Sequence, residues 1–504
     1  MTTLFLYHKS LMVREQPQLE KKTESDEYAT LGGMSYHAKQ TTIFWYDLET
    51  FGLDSRYDRI AQFAGQRTDL DLNPIGEPIV LYSKLSDDYL PDPLSCTITG
   101  ITPQEANRKG LCESDLIERI NAEFSKPNTV VAGFNNIRFD DEFIRNALYR
   151  NFMDPYKREW DNNCSRWDII DLVRAAYDLR PEGITWPPRK EETGNPTFRL
   201  TALTEANNIE QVGAHDALVD VKATISIARL IKEKQPKLYD YYFALRAKTQ
   251  VKKIVQTPFG EPVLYTAAFF SKNEGCSRLV TPITHMRNNP NAVICFDLSR
   301  DIAPLLQATE ENLLKVDGVF TLAINKCPFV SPLNVLTDQL AIKLGLDKKL
   351  ALFRHQQIIS QTRLLLLARN YEDSFEGVDD VDFQLYDRFF GDADQKRFAL
   401  IRAAQPREKL SLNLDFEDVR IPTMLFRHVG RNWSEVFTDE QLRKWRSYCA
   451  NRTLNPPGQV KMNWTFFNRK IEEKLASTDV SAEEKRVLAD LKAYSQELEK
   501  RIFS

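Results

Sequence analysis

Paired cysteines are missing from this chain. Its seven cysteines, Cys96, Cys112, Cys164, Cys276, Cys295, Cys327 and Cys449, stand singly and form no C-x-x-C. That argues against a zinc site and against a disulfide framework, and it suits a reducing cytoplasm. Long apolar runs are missing too. Nothing approaches the ~18–20 residues of a membrane span, so no membrane association is expected. The apolar stretch Leu4–Tyr7 is broken at once by His8 and Lys9, so a signal peptide is not expected. Neither sign of charge dominates, since 67 Lys and Arg face 71 Asp and Glu for a net charge of −4. A near-neutral total does not exclude a polyanionic partner, because a phosphate-binding groove needs only local positive charge. Internal repeats and low-complexity tracts are absent.

What is present is an ordinary globular composition, 42% hydrophobic and 27% charged, over a length that exceeds one core and predicts two or three domains. Residues 1–40 are polar, show no sustained period and read as a disordered tail. Met34 lies shortly before the first strand and marks a candidate translation start. Residues 41–234 alternate strands and helices. Thr42–Leu48, Ile60–Arg67 and Glu77–Lys84 read as strands, with a hairpin turn at Asn73–Gly76. Thr129–Phe134 is another short strand. Asp115–Phe124, Asp140–Tyr149 and Ala217–Lys232 have helical spacing. A mixed sheet with helices on its faces follows. Residues 235–385 read as β-rich, with short strands at Pro258–Val263, Ala267–Phe270, Ala292–Asp297 and Val319–Ile324. Residues 386–504 read as helical, ending in a charged helix over Ala482–Arg501.

The chemistry-bearing residues begin in Phe44-Trp45-Tyr46-Asp47-Leu48-Glu49-Thr50. Side chains two apart on a strand project from one face, so Asp47 and Glu49 stand side by side. Two such carboxylates ending an apolar strand are costly unless a cation neutralises them or the strand end is solvated. Hard divalent ions take oxygen ligands, which makes Mg²⁺ or Mn²⁺ the natural occupant. Gly133-Phe134-Asn135-Asn136-Ile137-Arg138-Phe139-Asp140-Asp141 places acids in the first turn of a helix, where they can also serve only the helix dipole. In His215-Asp216-Ala217-Leu218-Val219-Asp220, Asp216 is a candidate N-cap, with His215 just outside the helix and Asp220 one turn inside. Together, Asp47, Glu49, Asp220 and an acid of the Asp140-Asp141 pair can hold two metal ions ~3.5–4 Å apart. His215, with an ordinary pKa near ~6.5, can take a proton from an attacking water. That set describes phosphodiester hydrolysis.

Asp47, Glu49, Asp140, His215 and Asp220 resemble the set of the DEDDh exonucleases, in the DnaQ-like, ribonuclease H-like superfamily. More narrowly, Asp-Leu-Glu-Thr-Phe-Gly, Gly-Phe-Asn-Asn-Ile-Arg-Phe-Asp-Asp-Glu and Ala-His-Asp-Ala-Leu-Val-Asp are similar to the bacterial exonuclease I family. So are Leu179-Arg180-Pro181-Glu182-Gly183-Ile184 and Ile324-Asn325-Lys326-Cys327-Pro328. The likeness runs from Thr41 nearly to the C-terminus. It implies a multi-domain α/β chain: a ribonuclease H-like nuclease domain, an SH3-like β domain and a C-terminal α-helical domain. It also implies that Asp140, not Asp141, is the third carboxylate, with two Mg²⁺ ions as cofactor and Mn²⁺ as a substitute. The implied activity is magnesium-dependent, processive 3′→5′ digestion of single-stranded DNA to 5′-mononucleotides, in DNA repair and recombination; a three-domain enclosure of one strand needs no second copy, so a monomer is expected. The family docks the acidic C-terminal tail of single-stranded-DNA-binding protein, and Arg180 and Tyr241 match positions of that kind. The long segment ahead of Asp47 departs from the family pattern.

The segment after Asp140 interleaves bases with aromatics: Arg145, Tyr149, Arg150, Phe152, Tyr156, Lys157, Arg158 and Trp160. Arginines can pair with phosphates and aromatics can stack unpaired bases; alternatively, some of these rings are core, Phe152 first among them. The resemblance selects Arg145, Tyr156, Trp160 and Arg174 along the strand, with Arg199 near the scissile end and Glu49 and Thr50 also touching substrate. Two other readings stay open at this stage. One is an RNA-directed or proofreading DEDDh exonuclease, which shares the five catalytic residues but is usually shorter. The other is an inactive scaffold that binds nucleic acid.

Overall fold

The structure, a computed structural model, describes residues 40–188, 197–211, 213, 216–270, 275–371 and 377–503. The tail reading for residues 1–40 therefore falls almost wholly outside the described residues, as does His215.

Five strands form the first sheet: β1 (Thr42–Thr50), β2 (Ile60–Thr68), β3 (Pro74–Tyr82), β4 (Thr129–Gly133) and β5 (Ser165–Asp168). Their order is β3-β2-β1-β4-β5. β1 pairs antiparallel with β2 and parallel with β4, so the strand carrying Asp47 and Glu49 is central. Its first half, Ile43 to Tyr46, is buried because helices cover both faces, as the aromatic and β-branched content requires. Phe44, Tyr46 and Leu48 pack with Leu116, Ile120, Phe143 and Leu148. Ile43 and Trp45 pack with Leu172, Val221 and Ile225. The helices involved are, in chain order among those of the nuclease region, α1 (Pro93–Thr99), α2 (Pro103–Lys109), α3 (Glu113–Phe124), α4 (Asp140–Arg150), α5 (Ile170–Leu179), α6 (Leu200–Ala206) and α7 (Ala217–Lys234). Gly133 ends β4 where a Cβ would meet the Tyr46 carbonyl oxygen at 2.8 Å, so the close approach of β4 to β1 requires glycine.

A second sheet follows: β6 (Val263–Thr266), β7 (Ser277–His285), β8 (Ala292–Asp297), β9 (Val319–Ala323) and β10 (Phe329–Pro332), in the order β10-β6-β7-β8-β9. All its pairings are antiparallel. Helices at Asp392–Ala403, Ile421–Trp433, Asp439–Leu454, Trp464–Ala476 and Ala482–Phe503 complete the chain. Residues 41–504 form one compact unit. One apolar cluster runs from Trp45 and Trp167 through Tyr242 into Val263, Phe296 and Leu340. A second joins Phe51, Tyr57 and Tyr89 to Trp445, Leu491 and Leu498.

Three expectations are corrected. The first hairpin turns at Asp69–Asn73, where the Asp69 carboxylate accepts from the Asn73 amide at 2.8 Å, and β3 already starts at Pro74. Pro258–Val263 is a turn until Val263, because Phe259 takes a left-handed φ of 51° that no strand tolerates. Ala268–Phe270 is a 3₁₀ turn that packs Phe269 and Phe270 on Tyr265 and Phe320. The middle region is also less purely β than read, with helices α8 (Pro236–Ala244) and α9 (Lys248–Ile254) before its sheet and three more across Asp338–Asn370.

Candidate active site

Asp47 and Glu49 leave β1 on the face that carries Ile43 and Trp45, toward α7. Asp220 stands in the first turn of α7. One carboxylate oxygen from each of Asp47, Glu49 and Asp220 lies within 4.8 Å of the others. Asp140, the first residue of α4, accepts the Leu48 amide at 3.1 Å through Oδ1, so its carboxylate sits against the backbone between Asp47 and Glu49.

α7 is held in register from two sides. Asp216 caps it, accepting from the Leu218 and Val219 amides at 3.1 and 3.3 Å. Gln62, opposite Glu49 on β2, donates to Asp216 at 3.2 Å and accepts from the Ala217 amide at 3.0 Å. Gln211 donates to Asp220 Oδ1 at 2.7 Å and itself accepts from Thr204 at 2.6 Å. The sequence reading missed both glutamines. An alternating strand position such as Gln62, polar inside an otherwise buried strand, was the available signal.

The electrostatics follow from crowding like charges in a shielded place. Burial first, then Asp220 and Asp140, push the Glu49 carboxyl up to about 9. Burial, then Asp140, Glu49 and Asp220, raise Asp47 well above the carboxylate range although its side chain keeps some exposure. Asp140 is raised too, by burial and by Asp141, against its backbone hydrogen bonds. Among the described residues, the charged groups that raise Asp47 and Glu49 are carboxylates. Hard oxygen donors, converging and mutually repelling, fit divalent cations.

Asp141 is placed differently from its neighbour. It is buried and held by Arg158 and Arg166, each at 2.8 Å, and by the Tyr46 hydroxyl at 2.7 Å.

The remaining predicted residues divide by accessibility. Trp160 is 66% exposed and Arg199 is exposed at the N-cap position of α6. Tyr156 is half-buried beneath the Arg145 guanidinium, 5.3 Å from its ring centre. Arg145 is buried and already paired with Glu142 at 2.9 Å and Glu159 at 2.8 Å. Arg174 is buried against Asp171 at 2.6 Å. Thr50 turns its hydroxyl to the Gly52 carbonyl at 2.7 Å. Of the interleaved segment, Tyr149 and Phe152 are core residues. Arg150 is buried on Glu113 at 2.6 Å and Arg158 on Asp141, so those four leave the list of accessible contacts. Arg180 and Tyr241 line a separate cavity of about 370 Å³ with Leu179, Pro236, Lys237 and Phe329. There the Tyr241 hydroxyl donates to the Val330 carbonyl at 2.7 Å.

Comparison with known proteins covers nearly the whole described chain. Residues 44–228 match a family model described as exonuclease, 246–376 match the exonuclease I SH3-like domain, and 379–498 match the exonuclease I C-terminal domain. The chain is 43% identical over 433 residues to the exodeoxyribonuclease I of Haemophilus influenzae, covering 82% of this chain and 91% of that one. Exonuclease I from Methylocaldum szegediense superposes with a TM-score of 0.86 at 41% identity, covering 91% of this chain and 99% of that one. Escherichia coli exonuclease I in complex with a dA16 oligonucleotide superposes at 0.85 and 36% identity, over 91% and 100%. A structure of SSB/exonuclease I with the inhibitor CFAM superposes at 0.85 and 37% identity, over 91% and 100%.

Proposed function

The chain belongs to the exodeoxyribonuclease I family, and from that premise we propose that it removes 5′-mononucleotides processively from the 3′ end of single-stranded DNA, with Mg²⁺ as the working ion. The observation that carries the reading is the convergence of Asp47, Glu49 and Asp220, with Asp140 fixed beside them by Leu48. Asp47, Glu49, Asp140 and Asp220 would hold two divalent cations, which would supply charge neutralisation for the phosphate and for the departing 3′ oxygen. The protein's own part is to hold those carboxylates rigidly on β1, α4 and α7. His215 directly precedes the Asp216 cap, and its imidazole takes the proton from the attacking water. Arg199 steers the terminal phosphates, Trp160 and Tyr156 stack bases, and Glu49 and Thr50 border the scissile end. Arg145 and Arg174 line the path while remaining ion-paired.

Three units divide the work: 41–234 for cleavage, 235–385 and 386–504 for enclosing the strand. The cavity beside Arg180 and Tyr241, mainly apolar with Arg180 and Lys237 as its basic residues, receives the acidic C-terminal tail of single-stranded-DNA-binding protein. The SSB/exonuclease I structure supports that partner. The enzyme acts as a monomer in the cytoplasm, in DNA repair and recombination. Its cysteines, all unpaired in the structure, suit such a compartment.

The test uses 5′-labelled single-stranded DNA, the same strand blocked at its 3′ end, a duplex and a matching RNA, each with Mg²⁺ and with EDTA. Magnesium-dependent shortening of the free-ended DNA strand alone is the expected result. Shortening of RNA instead, or of no substrate, overturns the reading.

A further inference from the structure

Asp140 and Asp141 are neighbours in the sequence and opposites in the structure. Asp140 faces the carboxylate cluster. Asp141 is fully buried and joins three elements that the cluster depends on: β1 through the Tyr46 hydroxyl at 2.7 Å, the 3₁₀ turn at Lys157–Glu159 through Arg158 at 2.8 Å, and β5 through Arg166 at 2.8 Å. α4 begins without a side-chain cap, since Phe139 offers none. Its first turn is therefore held not by a capping side chain but by Asp141, beside the bond that Asp140 accepts from the Leu48 amide at 3.1 Å. Tyr46 directly precedes Asp47. One carboxylate thus ties the strand that carries Asp47 and Glu49 to the helix that carries Asp140. Arg166 extends the tie, pairing with Glu159 at 3.0 Å and donating to the Asn325 carbonyl at 3.2 Å, in the segment between β9 and β10.

We propose that Asp141 is a positioning residue for the metal-binding carboxylates, acting through Tyr46 on β1 and through the first turn of α4, with Arg158 and Arg166 as its fixed anchors. The inference rests on the reading of Asp47, Glu49, Asp140 and Asp220 as cation ligands. Groups that orient ligands from behind typically change metal affinity 10- to 100-fold when lost. Tyr46→Phe removes one hydroxyl and exposes no buried charge, whereas Asp141→Asn leaves Arg158 and Arg166 with less compensation and is read only if it folds.

The experiment titrates Mn²⁺ into the full-length wild type, Tyr46→Phe and Asp141→Asn by calorimetry without DNA. Melting temperatures and the Mg²⁺ dependence of kcat and KM are measured alongside. Mn²⁺ binding is expected to weaken severalfold in Tyr46→Phe and about 10- to 100-fold in Asp141→Asn. Raised Mg²⁺ should restore kcat in Tyr46→Phe, with KM for the DNA strand unchanged throughout. Should Asp141→Asn not fold, Tyr46→Phe decides alone. Mn²⁺ affinity of Tyr46→Phe within twofold of the wild type overturns the inference, as does a shared loss of melting temperature and activity with metal affinity unmoved. A wild type that binds no Mn²⁺ overturns the metal reading of the site, and this inference with it.

Discussion

Two clusters of buried acids in this chain are treated in opposite ways. Around Asp88 and Asp382 every acid has an arginine. Arg431 contacts Asp88 at 2.9 Å and Asp382 at 2.5 Å, Arg452 reaches Asp380 at 2.7 Å, and Arg427 reaches Asp380 at 2.7 Å. Burial works against ionisation there, yet Arg431, Arg59 and Arg452 outweigh it at Asp88, and Arg431, Arg452 and Arg427 at Asp382, so both carboxyls stay well below the usual range. Around Asp47 and Glu49 the acids have one another, and their carboxyls are pushed up. The first cluster is closed by its own arginines and fastens the helical C-terminal region to Asp88, in the loop between β3 and α1 of the nuclease region. The second gathers hard oxygen donors that fit a divalent cation. Acid content alone cannot tell them apart; the sign of the neighbours does.

The comparison breaks most sharply at the second cluster. Asp47→Ala or Asp220→Ala should abolish hydrolysis in a single-turnover assay while the melting temperature holds or rises, because a repelling charge is gone. His215→Ala should cost about 10²- to 10⁴-fold in rate, the range of a lost general base. The first cluster should respond inversely. Arg431→Ala leaves Asp88 and Asp382 buried with less compensation, and should cost about 3–5 kcal/mol of unfolding free energy in denaturant melts. The turnover of the protein that remains folded should change little.

Acid should act on the arginine-held group as well. Burial favours the neutral form of Glu113, but Arg150 and Arg59 prevail and hold it down at about 2. The unfolded chain binds that proton near pH ~4.3. Its stabilisation is therefore complete above that value and lost as pH falls toward about 2. His428, kept neutral by burial and by Lys409, sits at about 3. Its contribution is complete above the unfolded value of ~6.5 and declines as pH falls through the interval below. Melting temperature against pH should fall in both windows, and His428→Gln should flatten the upper one. The smallest effect concerns the DNA path. Arg199→Ala and Trp160→Ala should weaken binding to a fluorescent strand, by roughly 1–3 kcal/mol for the stacking ring, without lowering melting temperature. Arg145→Ala should lower both, since Glu142 and Glu159 lose their partner.

The sequence made the catalytic half of this account readable because its signals are local. A strand Asp-x-Glu fixes two side chains by periodicity, and Asp216 announces its helix by capping chemistry. Four of the five strands of the first sheet and the helical run at the C-terminal end followed from the same short-range rules, whereas the short β5 was missed. The arginines were harder. Arg145, Arg150 and Arg158 look alike as text, yet their acids, Glu159, Glu113 and Asp141, are chosen by tertiary packing, and pairing removed them from the solvent. Gln62 and Gln211 act only across elements, and helices α8 and α9 were hidden by the change of composition near Gln235. At Phe259 the left-handed residue is not itself a glycine, although Pro258 and Gly260 flank it as turn signals that the strand reading passed over.

The central claim is that the acids of the second cluster await a divalent cation and that this cation drives digestion. The most direct measurement follows a 5′-labelled single strand across a Mg²⁺ series with the wild type and Asp47→Asn, while melting both proteins in the same buffers. The account predicts that Mg²⁺ raises the melting temperature of the wild type over the concentration range in which shortening begins, and that Asp47→Asn shows neither response. Digestion by the wild type in EDTA, or by Asp47→Asn at the wild-type rate, would contradict it.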